Sequence, residues 1–148
     1  ELIALMPDNQ PINRKNNRNS VHRYGSNVPY KENMTSSEIP FYLKALGRHL
    51  VLEGLLKEEP DSISINEYQP GQKIDYHIDS EGSGEIISIL SLAGPAIMKF
   101  KNPPMTIQRN IPPRSLMQLK GEARWNWSHC IEPVFQKRWS VVFRNSTK

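Results

Sequence analysis

The segment EIISILSLAGPAIMKF, residues 85–100, decides the fold class. Apolar residues run through it on both sides of Gly94-Pro95, a dipeptide that marks a turn. The segment therefore predicts two short β-strands joined by that turn. Further short strands are predicted at SISINEY (62–68), RSLMQL (114–119) and RWSVVFR (138–144). Short strands separated by Pro and Gly turns indicate a mainly β sandwich or barrel.

One helix is predicted upstream of these strands, within residues 35–60. Apolar residues recur there at helical spacing, as at Tyr42 and Leu46. Ser37 is the predicted N-cap, which would put Pro40 in the first turn, where its missing N–H does no harm. We expect this N-terminal helix to support the β core.

Composition limits the function classes. A chain of 148 residues fits one domain with its own core, and 37% hydrophobic with 23% charged residues suits a soluble protein. No apolar run reaches the about 18 residues of a membrane span. The net charge of +4 favours a polyanionic partner, although an ordinary basic protein stays equally open. The single cysteine, Cys130, permits no internal disulfide, which favours an intracellular setting.

A possible metal site begins at YHIDS, residues 76–80. On a strand, His77 and Asp79 would point to one face. His129 follows far enough along the chain for a later strand to return beside them. Two histidines and one carboxylate with open positions form the facial triad of non-haem Fe(II) oxygenases. The alternative is a set of hydrogen-bonded structural histidines.

The last predicted strand, RWSVVFR, carries an unusual face. Arg138, Ser140, Val142 and Arg144 alternate with Trp139 and its apolar neighbours. Two arginines that point into a barrel need anionic partners. A small dicarboxylate would supply both, through bidentate pairs. The alternative is an edge strand with both arginines in solvent.

Three segments together resemble the AlkB family of Fe(II)- and 2-oxoglutarate-dependent dioxygenases. They are NEYQPGQKIDYHID (66–79), GEARWNWSHCI (121–131) and RWSVVFR (138–144). The family pattern is N-x-Y, H-x-D, a distal His and R-x5-R, and all four parts occur in order. The resemblance implies a double-stranded β-helix, or jelly-roll barrel. It also implies one dioxygenase domain, 1–148, with 1–60 as substrate lid and helical support and 61–148 as catalytic core.

The resemblance assigns iron to three residues. His77, Asp79 and His129 would be the metal ligands and the catalytic residues, with 2-oxoglutarate and dioxygen at the open positions. The implied reaction decarboxylates 2-oxoglutarate to succinate and CO2 and hydroxylates a substrate C–H bond. A hydroxylated N-methyl group then loses formaldehyde, whereas other hydroxylated positions keep the new group.

The resemblance also assigns the cosubstrate. Arg138 would hold the distal carboxylate of 2-oxoglutarate, with help from the Tyr68 hydroxyl. Arg144 and Asn66 would lie near the carboxylate beside the keto group. Ser140 would face the cosubstrate as well, where some relatives carry Asn.

Substrate contacts are expected from the N-terminal part. The first 34 residues are rich in Asn, Arg and Pro and predict loops, with one strand near Ser20–Tyr24. Residues 14–31 contain basic residues and no acidic one, which suits phosphate contact. Aromatic side chains could stack on an unstacked base. The predicted substrate residues are Arg18, His22, Tyr24 and Tyr76. The alternative is a solvated loop whose tyrosines pack on the core.

The leading function is therefore a monomeric nucleic-acid dioxygenase, either for alkylated DNA or RNA repair or for transfer-RNA modification. The segment PPRSLMQLKGEARWNWSH (112–129) most resembles the branch that hydroxylates modified wobble uridine in transfer RNA. Those relatives carry a longer insertion before the R-x5-R strand. Two alternatives stay open, which are a protein side-chain demethylase or hydroxylase and a catalytically silent jelly-roll that binds nucleic acid.

Overall fold

The structure is a computed structural model that describes residues 2–6, 17–26 and 37–147. Its strands are β1 Ser20–Gly25, β2 Ser62–Tyr68, β3 Ile74–His77, β4 Ile87–Ala93, β5 Ala96–Asn102, β6 Met105–Ile111, β7 Ser115–Leu119, β8 Ser128–Ile131 and β9 Arg138–Arg144. Its α-helices are α1 Phe41–Leu52 and α2 Glu122–Trp125. Short 3-10 turns lie at Leu2–Leu5 and Glu81–Ser83.

The strands form two antiparallel sheets. The five-stranded sheet has the order β1-β2-β9-β4-β7, and the four-stranded sheet has the order β3-β8-β5-β6. Several sheet neighbours are distant in sequence, as where β9 lies between β2 and β4 and where β8 lies between β3 and β5. The prediction of a mainly β jelly-roll with a supporting helix is confirmed.

The five-stranded sheet is covered on both faces. One apolar cluster lies between the two sheets and includes Ile87, Met98 and Val142. A second lies between this sheet and α1 and includes Leu43 and Val141. Adjacent residues of β9 thus join different clusters, because side chains alternate along a strand. The alternation predicted for RWSVVFR is present, and its arginine face is the one that meets the other sheet.

Helix α1 begins later than predicted. Its N-cap is Pro40, with no side-chain cap hydrogen bond, so the prediction of Ser37 as N-cap is wrong. Ser37 instead lies in an isolated bridge with Tyr24, and its carbonyl accepts a hydrogen bond from the Gly25 N–H at 2.8 Å. Because this bridge holds Ser37 in an extended conformation, the helix starts only after the proline.

Two elements gave no clear signal in the sequence. Strand β6 is exposed along almost all of its length, so it lacks the apolar alternation that marks a half-buried strand. Helix α2 is a single short turn between Gly121 and Asn126. Among the helices of the described residues, none has both the length and the apolar character needed to cross a membrane.

Candidate active site

The two histidines meet across paired strands. His77 ends β3 and lies opposite His129 of β8, and their ring centroids are 4.4 Å apart. Asp79 lies beyond the end of β3, so the expectation that it shares a strand face with His77 is wrong. Its carboxylate nevertheless reaches both rings. Oδ1 of Asp79 is 3.2 Å from Nε2 of His77 and 3.7 Å from Nε2 of His129.

These three side chains form a candidate metal centre. One ligand atom from each lies within 4.8 Å of the other two. The backbone carbonyl of Asp75 lies 2.9 Å from Nδ1 of His77, which orients that ring with Nε2 toward the carboxylate. An outer hydrogen bond of this kind is the usual way in which a metal-binding histidine is oriented. The donor set of two imidazoles and one carboxylate fits Fe(II).

The electrostatics suit a divalent cation. Burial raises the pKa of Asp79, but the hydrogen bond with His77 and the charge of Arg144 outweigh it and hold that pKa well below its usual range. Burial and the neighbouring His77 lower the pKa of His129 to about 4. Near pH 7 the site therefore offers a carboxylate anion and, at His129, a neutral imidazole. Metal ligands must be in these deprotonated forms.

The centre opens into a cavity between the sheets. The cavity has a volume of about 390 Å³, and both the metal-site residues and Arg138 line it. Apolar side chains from the core between the sheets complete its wall. They are Ile74, Ile87, Ile89, Met98, Ile131 and Val142. A cavity of this size can hold a small organic ligand.

Arg138 is a buried cation with incomplete hydrogen bonding. It is 0% exposed, and its Nη2 donates to Oγ of Ser91 at 2.8 Å. Within the described residues, Nε and Nη1 have no hydrogen-bond partner. The guanidinium carbon lies 4.9 Å from the ring centroid of Tyr68. A buried guanidinium with two unpartnered nitrogens fits a carboxylate ligand such as that of 2-oxoglutarate.

The predicted cosubstrate residues share one wall. Register pairs place Tyr68 opposite Arg138 and Asn66 opposite Ser140. Nδ2 of Asn66 lies 3.5 Å from Oγ of Ser140, and Oδ1 of Asn66 accepts a hydrogen bond from Nδ2 of Asn19 at 3.0 Å. Burial raises the pKa of Tyr68, so its hydroxyl stays protonated and can donate. The structure therefore brings these residues together, although sequence reasoning missed Asn19.

Arg144 differs from the expectation. Its Nε and Nη2 both donate to Oδ2 of Asp79, and its Nη1 donates to Oγ of Ser64. The sequence placed Arg144 beside a cosubstrate carboxylate. In the structure its principal partner is the carboxylate of the candidate metal ligand, and it lines the same cavity.

Only one of the four predicted substrate residues lines the cavity. Arg18 does, together with Asn19, Val21 and Arg23, which sequence reasoning did not select. Because side chains alternate along β1, Tyr24 faces the other way and packs against the cluster under α1. His22 shares its parity with Tyr24 and is likewise absent from the cavity wall. Tyr24 therefore packs on the core, as the alternative interpretation predicted, and a contact of His22 with the substrate stays a prediction.

Tyr76 also lies outside the cavity. It is 43% exposed, and Nζ of Lys101 is 5.9 Å from its ring centroid. The register of β3 shifts between Ile74 and His77, which lets both of these residues face the cavity, and Tyr76, next to His77, points to the other face. Tyr76 therefore does not line the cavity, and its contact with a substrate base stays a prediction. Arg14, Lys15 and the other basic residues of 7–16 and 27–36 lie outside the described residues.

A family model for the 2OG-Fe(II) oxygenase superfamily matches residues 6–146. The chain belongs to this superfamily. Within it, the chain is a member of the AlkB family, as its sequence relatives indicate. The family implies Fe(II) and 2-oxoglutarate as cofactors, and the donor set of the candidate centre agrees with that.

Two relatives illustrate the similarity. The tRNA (carboxymethyluridine(34)-5-O)-methyltransferase ALKBH8 of Mus musculus is 35% identical over 84% of this chain and 20% of its own length. Protein L905 of Acanthamoeba polyphaga mimivirus is 35% identical over 81% of this chain and 64% of its own length. The chain thus spans about a fifth of the mouse relative's length and under two thirds of the viral one.

The fold agrees with a solved member. The structure of OsALKBH1 superposes with a TM-score of 0.63, at 15% identity, over 84% of this chain and 77% of that one. At this identity the match supports the fold alone. The sequence and structural comparisons thus agree on the AlkB family and on its jelly-roll fold.

Proposed function

We propose that this domain is an Fe(II)- and 2-oxoglutarate-dependent dioxygenase that hydroxylates or oxidatively demethylates nucleic-acid bases. One observation carries the proposal. Three metal-ligand side chains converge within 4.8 Å in the same cavity as Arg138, a buried cation with two unpartnered nitrogens. A metal centre facing an anion site is what a metal-bound dicarboxylate requires.

His77, Asp79 and His129 would hold the iron. When bound, Fe(II) with 2-oxoglutarate and dioxygen supplies the oxidation of a substrate C–H bond. The protein orients Asp79 through Arg144 and keeps one imidazole neutral by burial. Apolar side chains such as Ile87 and Met98 line the cavity beside these polar residues.

The cosubstrate would extend from the metal toward Arg138. The Nε and Nη1 atoms of Arg138 are available to a carboxylate, and the Tyr68 hydroxyl is a nearby donor. Asn66 and Ser140 lie on the same wall and would contact the cosubstrate between its ends. A bidentate arginine contact both holds the ligand and fixes its direction.

A nucleic-acid base is the proposed substrate. The name of the mouse relative refers to a transfer-RNA uridine, and an Arabidopsis thaliana relative is called an alkylated DNA repair protein homolog. Arg18, just before β1, and Arg23 of β1 line the cavity, where their charge favours a polyanion. We further propose that the enzyme is a monomer. In this proposal, residues 1–60 form the substrate lid and the helical support of the catalytic core, residues 61–148.

Mass spectrometry after incubation with Fe(II), 2-oxoglutarate and air tests the proposal. Methylated DNA, methylated RNA and transfer RNA are offered separately, and succinate and the altered base are measured together. We expect succinate coupled to base oxidation in one polymer, and neither with Asp79→Ala. Coupling to a methylated peptide alone would favour the protein-demethylase alternative. Tight polymer binding without succinate would favour the silent binding module.

A further inference from the structure

Arg124 is a buried arginine outside the predicted site. It lies in α2, shortly before β8 and His129, and is 2% exposed. A buried guanidinium is costly unless its donors find acceptors. Its partners therefore indicate what it is for.

The guanidinium of Arg124 donates to three backbone carbonyls of one loop. Nη1 donates to the carbonyl of Asp79 at 2.9 Å, Nη2 to that of Ser80 at 2.7 Å and Nε to that of Gly84 at 2.9 Å. The guanidinium carbon also lies 4.1 Å from the ring centroid of Trp125. The planar fork of arginine thus spans residues 79–84 from one side, and the indole covers the guanidinium.

This loop is the part of the candidate centre with the least support from the sheets. His77 and His129 both belong to paired strands, whereas Asp79 follows the end of β3. At the far end of the loop, a Cβ on Gly84 would clash with the carbonyl of Asn145, so the loop backbone is closely packed there. Arg124 adds a side-chain restraint at both ends of the loop, through the carbonyls of Asp79 and Gly84.

We propose that Arg124 is a positioning residue that ties the Asp79 loop to the segment leading into His129, and so sets the spacing of the metal ligands. Arg144 acts on the Asp79 side chain, and Arg124 acts on its backbone. The inference rests on the proposed metal site. It adds that the geometry of this site depends on a residue that touches neither the metal ligands' donor atoms nor the cosubstrate.

Lysine cannot replace the fork. An ammonium keeps the charge but cannot reach three carbonyls spread along one loop from a single plane. Arg124→Lys therefore separates charge from geometry. Arg109→Lys is the matched control, because Arg109 is exposed and its Nη1 donates to the carbonyl of the adjacent Gln108.

Two measurements test the inference, which are Mn(II) affinity by calorimetry and the melting temperature with and without Mn(II). We expect Arg124→Lys to bind Mn(II) about 10–100-fold more weakly, the range typical of outer-shell changes, and to show a smaller metal-induced rise in melting temperature. Arg109→Lys should match the parent. Millimolar guanidinium should partly restore Mn(II) binding to Arg124→Ala. If Arg124→Ala does not fold, the Mn(II) affinity of Arg124→Lys decides whether the inference holds.

A folded Arg124→Lys variant with parental Mn(II) affinity would overturn the inference. So would a lower melting temperature with an unchanged metal-induced rise, since that marks a purely structural role. Failure of the parent to bind Mn(II) would instead remove the proposed metal site itself. The two failures are therefore distinguishable.

Discussion

Arg144 and Asp79 form a two-point contact at the candidate metal centre. Nε and Nη2 of Arg144 lie 3.0 Å and 2.8 Å from Oδ2 of Asp79. The other oxygen, Oδ1, faces the two histidines. One carboxylate thus has an oxygen committed to an orienting cation and an oxygen directed at the proposed metal. The last strand of the fold therefore orients a ligand that lies beyond the end of β3.

Replacing the ligand itself should remove metal binding. We expect Asp79→Ala to lose measurable Mn(II) affinity and 2-oxoglutarate turnover, because only two ligands remain. The sheets and both apolar clusters are untouched, so the circular dichroism spectrum should keep its β signature. Asp75→Ala is the control, since Asp75 pairs with Lys73 in solvent. Parental decarboxylation by Asp79→Ala would exclude Asp79 as an essential ligand.

Replacing Arg144, the cation that orients Asp79, should also weaken metal binding, but less than Asp79→Ala does. Arg144→Lys keeps one charge beside Asp79 but removes the fork that fixes Oδ2. We expect metal affinity to fall by about tenfold or more, as for other outer-shell partners. Titration of the variant with Mn(II) measures this. An unchanged affinity would show that burial alone fixes the carboxylate.

The anion site predicts a kinetic effect. Arg138→Lys should raise the KM for 2-oxoglutarate strongly, because lysine keeps the charge but cannot form the bidentate pair. Steady-state succinate formation against 2-oxoglutarate concentration measures it. Arg48→Lys, on the exposed face of α1, serves as the control. If KM does not change, Arg138 does not hold the cosubstrate.

The two arginines that line the cavity at and just before β1 predict a salt effect on polymer binding. Arg18→Ala with Arg23→Ala should weaken binding of single-stranded RNA or DNA regardless of sequence. The slope of log K against log salt should become shallower by up to about 1.4, because each phosphate that an arginine neutralises on a single strand contributes about 0.7. Lys44→Ala with Arg48→Ala changes the same charge on α1. Equal effects of the two pairs would indicate general charge attraction.

The packing of α1 against the five-stranded sheet should contribute strongly to the stability of the fold. Leu43 is 0% exposed on the buried face of α1, so Leu43→Ala should lower the free energy of unfolding by about 2–5 kcal/mol. Phe41→Ala, two positions away and 85% exposed, should change it little. Chemical denaturation of both variants measures the difference. A large decrease in the free energy of unfolding for Phe41→Ala would mean that the outer face of α1 is covered in solution.

Strand parity predicted much of the site. The inward face of β9 with Arg138 and Arg144, and that of β2 with Asn66 and Tyr68, follow from period-two alternation. Parity failed where the strand is irregular. The shift in β3 brings Ile74, three positions before His77, to the same cavity, and the end of that strand left Asp79 on a loop. The hydrophobic periodicity of a sequence does not show where such a register shift or strand end occurs.

Other features had no sequence signal of their own. Alternation alone does not say which face of β1 meets the cavity, because His22 and Tyr24 are as plausible as Val21 and Arg23 until β1 is paired with β2. Arg124 was missed because a basic residue in a short polar segment usually lies in solvent. Its burial depends on carbonyls that the Asp79 loop presents only once both sheets have formed.

The two apolar clusters lie on opposite faces of the five-stranded sheet, and only one of them adjoins the catalytic cavity. Along β2 and β9, residues that pack against α1 therefore alternate with residues that line the cavity. In directed evolution, a library limited to the α1-facing positions of β2 and β9, such as Ile65 and Val141, can accumulate stabilising changes without reshaping the pocket. A library of the intervening positions would explore substrate choice, and the two could later be recombined.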